Sequence, residues 1–170
     1  MKQPRRKILI VDDEQPTVDS LEILLCDDYD LLIARSGEEA LEKLRGVSVD
    51  LVFLDITLPG MNGFDVLREL KKMDETMDVV MLTADEKAKT AMRAMDLGAF
   101  HYITKPYDKD DILLVTRRAF EKKMMTEEII SLRDEVSAER SFHSIIGQHL
   151  KMKEIYQLIT KVARTDTRVL

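Results

Sequence analysis

Two patterns of apolar residues alternate along the first 120 positions of the chain. Short apolar runs read as strands: Ile8–Val11, Leu31–Ala34, Leu51–Leu54, Val79–Leu82 and His101–Thr104. Four of the five are near-continuous rather than alternating, as in parallel strands covered on both faces. Between these runs apolar residues recur at helical spacing. Val18, Leu21, Leu24 and Leu25 mark a first helix, on which Cys26 is expected in the core. Ala40, Leu41 and Leu44 mark a second, opened by Ser36 and Glu39 as a capping box. Phe64, Val66, Leu67 and Leu70 mark a third. Ala88, Ala91, Met92 and Met95 mark a fourth that stops at Gly98, and a fifth begins near Asp108.

Five βα repeats predict an α/β fold with helices on both faces of the sheet and right-handed crossovers. For five strands the natural arrangement is a flavodoxin-like (βα)5 doubly wound parallel sheet of order 2-1-3-4-5. The fifth helix does not stop on cue, so the fold carries a long C-terminal helical extension: no Gly or Pro lies between Pro106 and Gly147. Met125, Ile129, Leu132 and Val136 are spaced 4, 3 and 4 apart, a short heptad seam with charges on the other faces. A single solvated helix is the plainer reading, and a dimeric coiled coil the sharper one. From Ser141 to Leu170 a separate helical pattern appears in Met152, Ile155, Tyr156, Ile159 and Val162, too short a piece for a core of its own. The expected division is a domain over 1–122, a helical linker over 123–140 and the start of another domain over 141–170.

Composition narrows the function classes. A net charge of -6 argues against nucleic-acid binding by this segment, which needs a basic footprint. One cysteine allows no internal disulfide. No apolar run approaches a membrane span, and the apolar run after basic Met1–Lys7 is too short for a signal peptide, so a cytoplasmic location is expected.

In open α/β sheets the chemistry collects at the carboxyl ends of the strands. There the sequence sets Asp12 and Asp13 (strand 1), Asp55 (strand 3), Thr83 (strand 4) and Lys105 (strand 5). In the proposed strand order these five side chains converge. Three carboxylates in one pocket repel unless a cation joins them, and hard oxygen donors without His or Cys point to Mg²⁺. Asp12 and Asp13 can anchor the ion, and Asp55 can be both ligand and nucleophile, attacking phosphorus to give an acyl phosphate. Lys105 then neutralises the transferring oxygens, and Thr83 donates its hydroxyl to one of them. Singly, each residue admits a plainer role. The Asp12–Asp13 pair suits a helix dipole, Asp55 a turn cap, Thr83 or Asp85 a helix cap, and Lys105 a solvated surface. All of them falling at the correct strand ends favours the joint reading.

The segments Ile8–Glu14, Asp55–Gly63, Leu82–Ala84 and Thr104–Pro106 together resemble the receiver domain of bacterial response regulators, in order across residues 7 to about 120. The resemblance implies a phosphoryl group passed from a histidine kinase to Asp55. It implies Mg²⁺ bound directly by Asp13 and Asp55, with Asp12 helping, partly through water, and the backbone carbonyl of Thr57 as a further ligand. It also implies a cis peptide bond before Pro106 and a rotameric aromatic, Tyr102, coupled to Thr83; a core aromatic is the alternative for Tyr102.

Phe142–Leu170, with Ile145-Ile146-Gly147 and Lys161–Asp166, is similar to the start of the σ54-interacting AAA+ ATPase module, pointing to an NtrC-type activator cut off before its phosphate loop. The implied partners are a sensor kinase, a second copy bound through the linker and receiver surface, and the ATPase domain and σ54 RNA polymerase of a longer protein. The resemblance implies a phosphoacceptor signalling domain, with only self-phosphorylation and self-dephosphorylation chemistry, rather than an enzyme, and without a G-x-x-x-x-G-K-[ST] loop this piece is not expected to hydrolyse ATP. A haloacid-dehalogenase-type phosphatase would want an Asp where Thr57 stands. A flavin carrier would want a neutral phosphate loop where the chain has Asp12-Asp13-Glu14.

Overall fold

The computed structural model describes residues 5–143 apart from position 86, with side chains described through residue 133. Five strands alternate with five helices: β1 (Lys7–Val11), α1 (Gln15–Leu25), β2 (Asp30–Ala34), α2 (Gly37–Leu44), β3 (Leu51–Asp55), α3 (Gly63–Met73), β4 (Asp78–Thr83), α4 (Ala88–Asp96), β5 (His101–Thr104) and α5 (Lys109–His143). All strand pairs are parallel and the sheet order is β2-β1-β3-β4-β5, the flavodoxin-like arrangement predicted. The chain divides into two units, Met1–Lys122 and Lys123–Leu170.

Because side chains alternate across a strand, the continuous apolar runs supply two cores, one on each face. Leu9, Val11, Val52, Leu54, Val79 and Met81 face α2 and α3 residues such as Ala40, Phe64 and Leu67. Ile8, Ile10, Leu51, Phe53, Val80 and Leu82 face α1 and α5 residues such as Leu21, Leu25, Ile112 and Phe120. Each fully buried Leu, Ile or Phe contributes roughly 1.5–3 kcal/mol relative to exposure. This layered core holds the strand ends in fixed register, with Val11 opposite both Ala34 and Leu54, and Asp55 opposite Leu82.

Several expectations need correction. Cys26 is exposed at the C-cap of α1, because the buried stripe of that helix is Val18, Leu21 and Leu25, and the next residue turns about 100° away. On α4 the buried stripe is Ala91 and Ala94, leaving Met92 and Met95 65% and 46% exposed. Edge strand β2 is only partly covered along most of its length, since it has a neighbour on one side alone. The capping box at α2 is half formed: the Ser36 hydroxyl accepts from the Glu39 N–H, but the Glu39 carboxylate accepts from the Arg35 N–H, one residue before the cap.

Gly98 ends α4 in the left-handed region at φ 86°, where a side chain is disfavoured. Within the second unit the helix presents Met124, Met125, Ile129, Ile130 and Leu132, each more than half exposed. The seam residue Val136 and the expected domain start over 141–170 carry no described side chains.

Candidate functional site

The carboxyl ends of β1, β3 and β5 bring four of the expected residues together. Asp12 follows β1 and is fully buried; Asp55 closes β3 and is 4% exposed; Asp13 is exposed. One carboxylate oxygen from each of the three lies within 4.8 Å of the others. Lys105, just past β5, reaches into this cluster with its Nζ 2.7 Å from Asp12 Oδ2 and 3.3 Å from Asp55 Oδ2.

The backbone fixes these positions. The Asp12 N–H donates to the Ala34 carbonyl at 3.1 Å, extending the β1–β2 ladder by one bond. The Ile56 N–H donates to the Leu82 carbonyl at 3.0 Å, extending β3–β4 past Asp55. The Lys105 N–H donates to the Thr83 carbonyl at 2.6 Å, tying the end of β5 to that of β4. The Lys105–Pro106 peptide bond is cis. Gly63 lets α3 start directly beneath Asp55: a Cβ there would stand 2.2 Å from the Asp55 carbonyl oxygen.

Electrostatics follow from burial. Loss of solvent pushes the Asp55 carboxyl above its ordinary value, and the Asp12 charge adds to this; Lys105 and the Thr57 backbone N–H pull the other way without cancelling it. Burial disfavours the Lys105 charge, but hydrogen bonding and attraction from Asp12, Asp55 and Glu14 outweigh it, so the ammonium is held more firmly than usual. The cluster therefore carries more negative charge than Lys105 alone relieves. Its donors are all hard oxygens, and their spacing fits a small divalent cation.

Thr83 is buried at the end of β4, and its hydroxyl accepts from the Asp85 N–H at 2.9 Å. Neither residue is the N-cap of α4, which is Lys87; Asp85 instead accepts from the Lys87 N–H and the Thr90 hydroxyl. Thr57 is exposed on the loop after β3. Tyr102 is not gathered into the acidic cluster. It stands 37% exposed and lines an open cleft with Ala88, Ala91, Met92, Met95 and Asp96.

Sequence reasoning missed three contributors. Glu14 reaches Lys105 at 3.2 Å, and that hydrogen bond lowers the Glu14 carboxyl below its usual range. Its place next to the acidic pair was the available signal. Tyr107 is half-buried, with its hydroxyl pushed up by burial and influenced by Lys105 and Asp12. Arg35 arrives from the end of β2 and donates to the Asp12 carbonyl at 3.3 Å. No local pattern marks Arg35, because only sheet pairing brings β2 beside β1.

Comparison with known proteins bears on the family and the fold. The pattern of the response regulator receiver domain matches residues 8–117. Regulatory protein AtoC of Escherichia coli (strain K12) is 30% identical over 165 residues, which is 96% of this chain and 36% of that protein. NtrX of Brucella abortus superposes with a TM-score of 0.71 at 32% identity, over 98% of this chain and 36% of that one. A receiver domain protein of Clostridium thermocellum superposes with a TM-score of 0.67 at 34% identity, over 71% of this chain and 98% of that one. The chain thus spans about a third of the length of AtoC and NtrX, at 36% of each. A receiver pattern over 8–117, laid on a parallel 2-1-3-4-5 sheet with an acidic corner built from β1 and β3, means that this chain belongs to the response regulator receiver family.

Proposed function

We propose that this chain takes a phosphoryl group from the phosphohistidine of a sensor kinase onto Asp55 and uses it to switch its own assembly. The observation that carries the reading is the buried Asp55 carboxylate, with Asp12 and Asp13 oxygens within 4.8 Å and the Lys105 ammonium at 3.3 Å. In the proposed step an Asp55 carboxylate oxygen bonds to phosphorus as the phosphorus–nitrogen bond to the donor imidazole breaks; the electron pair stays on that nitrogen, and the ring, already protonated on its other nitrogen, leaves as neutral imidazole. Lys105 stays charged throughout and pairs with a transferring oxygen. Asp13 and Asp55 would hold Mg²⁺ directly, with Asp12 partly through water and the Thr57 carbonyl as a further ligand. Bound there, Mg²⁺ supplies charge neutralisation for the non-bridging phosphoryl oxygens.

The new anion adds roughly two negative charges beside Lys105. The Thr83 hydroxyl then exchanges its bond with the Asp85 N–H for one donated to the phosphoryl group, and Tyr102 turns into the space released. This re-shapes the face of α4, β5 and α5 as a shift between two packings. Similarity to AtoC and NtrX supports an activator of the NtrC type, in which the switch acts on an AAA+ ATPase serving σ54 RNA polymerase. Exposed apolar residues on the linker helix support a parallel homodimer that restrains the ATPases until phosphate arrives.

The test is chemical. Incubated with Mg²⁺ and a small phosphodonor, the chain gains one phosphoryl group labile to base and hydroxylamine, and Asp55→Asn gains none. Label persisting at wild-type level in Asp55→Asn would refute the acceptor.

A further inference from the structure

The carboxylates of the acidic corner differ in how they are held. Both oxygens of Asp12 are engaged: Oδ1 accepts from the Glu14 N–H at 2.9 Å and Oδ2 from Lys105 at 2.7 Å. Asp55 is walled in by β3 and its neighbours. Asp13 is the exposed member, carried on the turn between β1 and α1, so its position depends on how firmly that turn is fixed.

One side chain fixes the turn from both ends. Arg35, half-buried at the end of β2, donates through one terminal nitrogen to the Asp12 carbonyl at 3.3 Å and through the other to Gln15 Oε1 at 2.5 Å. It therefore brackets Asp13 and Glu14 between two anchored residues. Gln15 is braced in turn by Asp19 Oδ1 at 2.5 Å on α1. Arg35 is itself anchored, because its N–H donates to Glu39 Oε2 at 2.7 Å while Glu39 Oε1 pairs with Lys43 at 2.6 Å. A guanidinium suits this bridge, since its planar fork donates in two fixed directions at once.

We propose that Arg35 is a positioning residue for the divalent cation, holding the Asp12–Gln15 turn so that Asp13 meets Asp12 and Asp55 at ligand spacing. This rests on the reading of the corner as a Mg²⁺ site. Charge and positioning predict opposite signs. As a nearby cation Arg35 repels a divalent ion, so charge alone makes its removal tighten binding. As a brace, its removal loosens Asp13 and weakens binding. Outer-shell partners of metal ligands typically change affinity by about 10- to 100-fold.

The experiment measures the dissociation constant of the full chain for Mn²⁺, by loss of the free-ion electron paramagnetic resonance signal, and for Mg²⁺ by calorimetry. Urea midpoints are followed in parallel. Arg35→Ala binds both ions about tenfold more weakly, and Arg35→Lys, which keeps the charge but cannot bridge both acceptors, is weakened to a similar extent. Gln15→Ala, a surface change that leaves the fold intact, weakens binding by about threefold, and the double variant is no worse than Arg35→Ala because both act through one link. Unchanged or tighter binding in Arg35→Ala and Gln15→Ala overturns the brace while leaving the site reading standing. Wild-type chain that binds neither ion overturns both.

Discussion

At the residue scale the decisive quantity is the charge balance around Asp55. Its carboxyl is raised above the ordinary 3.8 by burial and by Asp12. A raised carboxyl stabilises the fold most when protonated, so this contribution is present below the ordinary value and is lost as pH rises through the raised one. Asp55→Asn has no such loss. Without Mg²⁺ it exceeds wild type in urea stability at pH 7, with the gain shrinking as the solution is acidified. A stability difference that is flat in pH, or that grows toward acid, contradicts the assignment. Lys105 is the opposite case. Lys105→Met removes the ammonium and leaves Asp12 and Asp55 facing each other, which costs about 3 kcal/mol, as for breaking a buried ion pair. Added Mg²⁺ narrows that gap, because a second cation replaces the first. Urea titrations with and without Mg²⁺ measure both effects, and a gap indifferent to Mg²⁺ places the ion elsewhere.

At the element scale the site depends on how closely the helices approach the strand ends. The start of α3 passes so near β3 that a Cβ on Gly63 would meet the Asp55 carbonyl oxygen at 2.2 Å and Ile56 Cα at 2.7 Å. These are backbone atoms, which cannot swing aside as a side chain can. Gly63→Ala therefore destabilises by about 2–3 kcal/mol and displaces Asp55, so phosphoryl uptake falls even under conditions where the variant stays folded. Normal uptake in a folded Gly63→Ala protein shows that the contact is relieved elsewhere. The β4–α4 connection is the second sensitive junction. Thr83 is held there by the Asp85 N–H, while Asp85 is held by Lys87 and Thr90. Thr83→Ala accepts phosphate but fails to pass the change to α4 and β5. Comparing hydrogen exchange over α4 and β5 before and after phosphorylation checks this; equal responses in Thr83→Ala and wild type rule the route out.

At the scale of the whole molecule the exposed apolar residues of the second unit bear on assembly. The second unit leaves Met125, Ile129 and Leu132 exposed by 64%, 51% and 54%, at heptad spacing. Apolar residues at that spacing gain most when a second helix covers them. The full chain therefore sediments as a dimer at micromolar concentration, a chain ending near Lys123 associates more weakly, and phosphorylation changes the association of both. Monomers in every case reduce the linker to a tether. Among the described residues no helix is long and apolar enough to cross a membrane.

The sequence by itself determined the sheet. Continuous apolar runs at Ile8–Val11, Leu51–Leu54 and Val79–Leu82 read as parallel strands covered on both faces, and strand order then carries Asp12, Asp55 and Lys105 to one corner. These features were legible because alternation, helical spacing and chemistry at strand ends are local or follow from topology. Tertiary structure decided what depends on which face is covered and on distance across the fold. Whether Cys26, Met92 and Met95 are core or surface turns on where the neighbouring elements end, since apolarity alone does not say which stripe a helix buries. The roles of Glu14 and Arg35 appear only when β5 and β2 bring Lys105 and a guanidinium to the β1–α1 turn, contacts spanning 91 and 23 residues of sequence. A side chain that reaches across the sheet leaves no periodic trace in its own segment, so only the folded geometry reveals it.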